Sequence, residues 1–146
     1  MPVEPGVIDA NILVYSINVD DVHHAPSRVL LDAARDPSVS LYVTSQILCE
    51  FYSVITNPRR VAVACTSAEA VKIILGFLAL PGLRVLPAPI QVVVGVMELL
   101  QRHPVIGGRV FDLQIVATMQ VNNVLRIYTF NTGDFQKFPG LTVVTP

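Results

Sequence analysis

Val7-Ile8-Asp9-Ala10-Asn11-Ile12-Leu13-Val14-Tyr15-Ser16 places a carboxylate and a carboxamide where an apolar strand turns into an apolar helix. Pro5-Gly6 closes a short tail before it. Val7-Ile8 has the brevity and apolarity of a buried strand, and Ile12 to Ile17 reads as a short helix broken by the polar stretch Asn18 to Asp21. Either Asp9 or Asn11 can accept from the orphan N–H groups of the first helical turn. Taken alone, the segment is a capped helix. It becomes a site at the rim of a core only if distant carboxylates occupy comparable positions.

The strand-to-helix alternation continues outward from this stretch. Asp20-Asp21-Val22-His23-His24-Ala25-Pro26 opens a second helix running to about Ala34, with acids at its positive end. His23 and His24, being adjacent, point about 100° apart on a helix and cannot chelate together, so they read as a solvated helix start. Leu41 to Thr44 is a strand, and Thr44 or Ser45 caps a helix that Asn57-Pro58 stops at Thr56. Ile47, Leu48, Phe51, Val54 and Ile55 form its buried stripe. Glu50 lies at the stripe's edge and reads equally as a boundary residue or a site residue.

Thr66-Ser67-Ala68-Glu69 is a capping box opening a helix that ends at Pro81-Gly82, and Arg84 to Leu86 is a short strand. Ile90 to Arg102 is helix despite Val92-Val93-Val94, because its length and its Met-Glu-Leu-Leu half outweigh local propensity. After a loop from His103 to Gly108, the helix from Val110 to Val121 carries an anomaly. Asp112, Ile115, Val116 and Met119 share one face. A carboxylate on an apolar face costs several kcal/mol unless it is paired, hydrogen-bonded or bound to a cation. Leu125 to Thr129 is a strand, Phe130 to Phe135 a turn whose Asn131 and Asp134 suit turn chemistry, and Leu141 to Val144 the last strand.

Composition narrows the class. The 146 residues form one domain, residues 1–146, with no repeats or linker, long enough to fold on a core. At 52% hydrophobic and 14% charged, the chain suits a doubly covered sheet or a sticky partner surface. A net charge of -1 gives no global attraction for nucleic acid, so phosphate contacts fall to local arginines such as the loop pair Arg59-Arg60. Cys49 and Cys65, outside any C-x-x-C arrangement, read as reduced thiols. No apolar run approaches membrane-spanning length and the N-terminus lacks a signal's basic region, which points to a cytoplasmic protein.

Alternating strands and helices imply a parallel sheet covered on both faces, with the ligand crevice beyond the carboxyl ends of the strands. Asp9 and the Asn131 to Asp134 turn directly follow strands, Asp112 opens a helix before the later one, and Glu50 is a plausible fourth acid. Three or four such carboxylates without a nearby lysine or histidine repel one another unless a divalent cation neutralises them. Oxygen donors suit Mg2+ or Mn2+ rather than structural zinc, and the chemistry that follows is metal-dependent phosphoryl transfer. There is no G-x-G-x-x-G after the first strand, no P-loop and no nucleophile elbow. A receiver-like phosphoacceptor domain needs a lysine after a late strand, a place that neither Lys72 nor Lys137 fills.

Val7-Ile8-Asp9-Ala10-Asn11, Ser45 to Glu50, Phe111-Asp112-Leu113 with Ala117, and Thr129-Phe130-Asn131 through Asp134-Phe135 together resemble the PIN-domain ribonucleases, and among them the VapC-like toxins of toxin-antitoxin pairs. Asp21-Val22-His23-His24-Ala25 and Pro139-Gly140-Leu141 are similar too. The resemblance implies a three-layer α/β/α sandwich with a mostly parallel central sheet. It also implies a homodimer, a cognate antitoxin, and acids that bind Mg2+ or Mn2+ to cleave RNA, leaving a 5'-phosphate and a 3'-hydroxyl. By that resemblance Asp9 and Asp112 are metal ligands, Glu50 binds metal or positions the attacking water, and Asn11 and Thr129 are supporting groups. Asn131 stands where the family often has an aspartate, so Asp134 takes over that role or binds through water. Arg109, Arg59 and Arg60 are candidates for phosphate contacts. The competing expectation is a degenerate binding module that acts only by forming complexes.

Overall fold

The structure is a computed structural model and describes residues 2–146. Its sheet has five parallel strands: β1 Gly6–Ile8, β2 Leu41–Val43, β3 Leu83–Val85, β4 Arg126–Tyr128 and β5 Thr142–Val144, in the order β3-β2-β1-β4-β5. The helices between them are α1 Ala10–Ile17, α2 His24–Ala33, α3 Ser45–Ile55, α4 Ser67–Leu78, α5 Gln91–Arg102, α6 Val110–Val121 and α7 Thr132–Phe135. A 3-10 turn, Gly107–Arg109, leads into α6.

Handedness explains the layers. Parallel strands need crossovers, and these are right-handed. From β1 to β3 the chain steps one way along the sheet, which sets α1 to α4 on one face; it then returns past β1 to β4, which sets α5 and α6 on the other. The result is a three-layer α/β/α sandwich. β1 is the strand from which the order runs in both directions: Val7 pairs with Tyr42 on one side and Ile127 on the other. Covered on both faces, Val7 and Ile8 are completely buried, so the strand carries apolar residues at successive positions rather than alternating ones.

Most sequence expectations hold, and the exceptions have physical causes. The α5 helix forms over its β-branched start because Val92, Val96 and Leu99 bury a stripe against the core. Gly95 in α5 lies against α6, where a Cβ would come within 3.2 Å of the Ala117 Cβ, so the glycine sets the closeness of the two helices. The expected turn from Phe130 to Phe135 contains a one-turn helix, α7, that buries Phe135. The second helix starts at His24 rather than near Asp20, and just ahead of it the Asp21 carboxylate accepts from the His23 backbone N–H at 2.8 Å. His23 and His24 are half-buried, not a solvated start. The His23 ring packs on Tyr15 and Phe130, with centroids 4.8 and 4.3 Å away, and a His24 ring nitrogen lies 2.8 Å from the Tyr15 carbonyl.

Thr44 caps α3, and Thr66 with Glu69 forms the reciprocal capping box of α4. Replacing Thr66 by alanine removes one partner of that box and is expected to lower stability by about 1 kcal/mol, read as a reduced urea midpoint with unchanged slope. Cys49 and Cys65 are free. Among the described residues no helix is long and apolar enough to cross a membrane.

Candidate active site

In an open parallel sheet the strands on either side of the switch point leave their connections in opposite directions, and a crevice opens beyond their carboxyl ends. Here that point lies between β1 and β4. Asp9 leaves β1 and Thr129 leaves β4, and the two side chains meet: the Thr129 hydroxyl donates to Asp9 Oδ2 at 2.8 Å. Asn11 Nδ2 donates to the same carboxylate oxygen at 3.2 Å and to Thr129 Oγ1 at 3.1 Å, while Asn11 Oδ1 accepts from the Phe130 amide at 3.3 Å. Asp9 Oδ1 accepts from the Ala10 N–H at 2.8 Å. Asp9 is therefore both the cap of α1 and the centre of a network joining two strands 120 residues apart in sequence.

An open cleft of about 620 Å³ lies over this network. Asp9, Glu50, Asp112 and Asp134 all line it, together with Asn11, Asn131 and Arg60. The four acids come from the end of β1, the middle of α3, the first turn of α6 and α7. Thr129 stands behind Asp9, completely buried. Arg59 is not among the lining residues; its backbone N–H bonds to the Asn57 side chain. Arg109 is exposed, and its charge reaches Asp112. Asn131 lines the cleft, and its backbone N–H donates to Thr129 Oγ1 at 3.0 Å.

The electrostatics agree with the crowding. Burial pushes the Asp9 carboxyl from 3.8 up to about 6, against the hydrogen bonds from Thr129 and Ala10, and the carboxylates of Glu50 and Asp134 push it the same way. Asp112 also rises to about 6, through burial first and then through Asp134 and Asp9, opposed by Lys137 and Arg109. Burial raises Glu50 as well, Gln46 lowers it by donating a hydrogen bond, and Asp112 raises it. Strong upward shifts in a shared cleft mark a functional site more often than a structural one.

Two residues influence the acids in ways not expected from the sequence. The charge of Lys137 lowers the Asp112 carboxyl, which corrects the expectation of no neighbouring lysine. Gln46 bonds Glu50, and its position one helical turn before that acid was the available signal.

All the donors facing the cleft are oxygens, and the acids repel one another, which is the chemistry a hard divalent cation relieves. As the side chains stand, no group of three or more His, Cys, Asp or Glu among the described residues is arranged to hold a metal ion. The donor set fits such an ion in kind, with carboxylate adjustment needed to close around it.

A parallel α/β sandwich with an acid-lined cleft at its switch point defines a narrow class of protein. The chain belongs to the PIN-domain family, whose model matches residues 6–141. Among solved structures it is similar in fold to VapC20 of Mycobacterium tuberculosis, a sarcin-ricin loop cleaving toxin, with a TM-score of 0.68 and 20% identity over 96% of this chain and 98% of that one. VapBC2 of Rickettsia felis, bound to a DNA fragment from its promoter, superposes with a TM-score of 0.65 at 20% identity over 98% and 99% of the two chains. VapBC-1 of nontypeable Haemophilus influenzae gives 0.64 at 18% identity over 97% and 98%. No curated protein matches the chain. At such identities these likenesses concern the fold.

Proposed function

We propose that the chain is a VapC-like toxin, a metal-dependent endoribonuclease held in check by a cognate antitoxin in the cytoplasm. One observation carries the reading: four carboxylates from four separate segments line a single cleft beside Arg60, two of them raised to about 6. Asp9, Asp112 and Glu50 would hold Mg2+ or Mn2+, with Asp134 binding directly or through water. The cation, when bound, supplies the positive charge that neutralises the acids and polarises water and phosphate. Thr129 and Asn11 fix the orientation of the Asp9 carboxylate, and Glu50 positions the attacking water. In-line attack at phosphorus leaves a 5'-phosphate and a 3'-hydroxyl.

The solved relatives named VapBC support an antitoxin partner and the VapC20 relative supports RNA as the substrate; a homodimer follows from the family resemblance. Arg60 and Arg109 contact the RNA backbone. Arg60→Ala is expected to raise KM for RNA several-fold and to reduce the slope of log affinity against log salt by about 0.7, the loss of one phosphate contact on a single strand. The reading as a whole is tested by incubating purified protein with RNA in Mn2+ and in EDTA: cleavage in the first alone supports it. Asn131, which brings no charge, favours the second reading, a binding module without catalysis. RNA left intact in Mn2+ by a protein that still captures its antitoxin would establish that module.

A further inference from the structure

Gln46 occupies a position that the proposed chemistry does not use. It sits in the first turn of α3, and its single Nε2 makes two hydrogen bonds: 2.7 Å to Glu50 Oε1, one turn along the same helix, and 2.8 Å to the backbone carbonyl of Phe111, 65 residues away in sequence. Phe111 directly precedes Asp112 in the first turn of α6. The amide orientation is set by its partners, because a carboxylate and a carbonyl can only accept, so both require the NH2 side. The Gln46 Oε1 is left buried without a hydrogen-bond partner. A buried acceptor left unsatisfied is destabilising, which an ordinary surface glutamine avoids by turning to water.

We infer that Gln46 is a positioning residue that clamps the Glu50 carboxylate to the start of α6, so that the acids of α3 and α6 face the cleft at a fixed spacing. This rests on the proposed metal-dependent reaction. The bond to Glu50 alone is an ordinary pair one helical turn apart. The bond to the Phe111 carbonyl distinguishes the clamp, since it ties the helix that carries Glu50 to the backbone beside Asp112 in α6. Bonds that orient a metal-binding carboxylate typically carry 10–100-fold in metal affinity or activity.

The test compares wild type with Gln46→Met, which keeps the length and removes both hydrogen bonds, and Gln46→Leu, which removes them without adding charge. Mn2+ affinity is measured by calorimetry without RNA, kcat and KM by RNA cleavage, and backbone exchange by hydrogen–deuterium exchange over residues 110–116. The clamp predicts that both variants bind Mn2+ about tenfold or more weakly, lose kcat with KM for RNA little changed, and exchange faster at the first turn of α6. Wild-type Mn2+ affinity and kcat in either folded variant would overturn it, as would a change confined to melting temperature. If the wild type itself neither binds Mn2+ nor cleaves RNA, the nuclease reading falls on its own account. The clamp is then judged by exchange alone, and equal rates in wild type and variants refute it.

Discussion

At pH 7 without metal, the Asp9→Asn protein is expected to be more stable than the wild type, yet to cleave RNA about a thousandfold or more slowly. The two effects have one cause. Asp9 sits at 6% exposure with its carboxyl raised from 3.8 to about 6, so ionising it in the folded protein works against folding. Because its folded pKa lies above the unfolded value, the stability it contributes is complete below about 3.8 and is lost as the pH rises through about 6. The gap amounts to about 3 kcal/mol. Asparagine removes that penalty and still accepts from the Ala10 N–H, but its NH2 meets the Asn11 amide donor, which returns about 1–2 kcal/mol. The net gain of about 1–2 kcal/mol corresponds to a melting rise of roughly 3–6 °C. In the proposed metal-dependent reaction activity moves oppositely, because the carboxylate's charge would hold the cation; several kcal/mol of transition-state stabilisation is a factor of about a thousand. A variant both less stable and fully active would refute both halves.

The second large effect is a reversal of pH dependence by metal. Without a divalent ion, lowering the pH from 7.5 to 5.5 is expected to raise the melting temperature, because Asp9 and Asp112 both take up protons on the folded side of that window. Glu50 is shifted in the same direction. Asp112 contributes less than its shift suggests, since it is only half-buried and water screens it. Asp36 and Glu69, lowered by bonds to Ser38 and Thr66, act in the opposite sense but below about 4.5, outside the window. Mn2+ at a hundred times its dissociation constant adds about 2.7 kcal/mol, or roughly 6–10 °C, at pH 7.5. It adds progressively less toward pH 5.5, where protons compete for the same oxygens. Differential scanning fluorimetry across the two pH values, with and without Mn2+, reads both trends. A Mn2+ shift that persists in Asp9→Asn would place the ion elsewhere.

How much of this was written in the chain depends on whether a residue's role is local. Val7-Ile8 was legible as a buried strand because a central parallel strand is covered on both faces, and Asp112 was legible because three apolar neighbours share its helix face. Glu50 read equally as a boundary residue or a site residue, because the acids it shares the cleft with come from distant segments. The order of the strands was not legible at all, since alternation alone leaves open which strand flanks β1. The misread places share a cause. His23 packs on Tyr15 and Phe130 from two other segments, and Phe130 to Phe135 contains the one-turn helix α7, which buries Phe135, where Asn131 and Asp134 suggested a turn. In each, a tertiary contact overrode the local chemistry.

The proposed metal-dependent hydrolysis of RNA by the four acids of this cleft is tested most directly by mapping the ends of fragments produced by wild type and Asp9→Asn from an RNA with unpaired loops, in Mn2+ and in EDTA. The expected result is 5'-phosphate and 3'-hydroxyl ends, seen only with wild type and only in Mn2+. Cleavage that survives EDTA or Asp9→Asn, or fragments ending in 2',3'-cyclic phosphate, would contradict it.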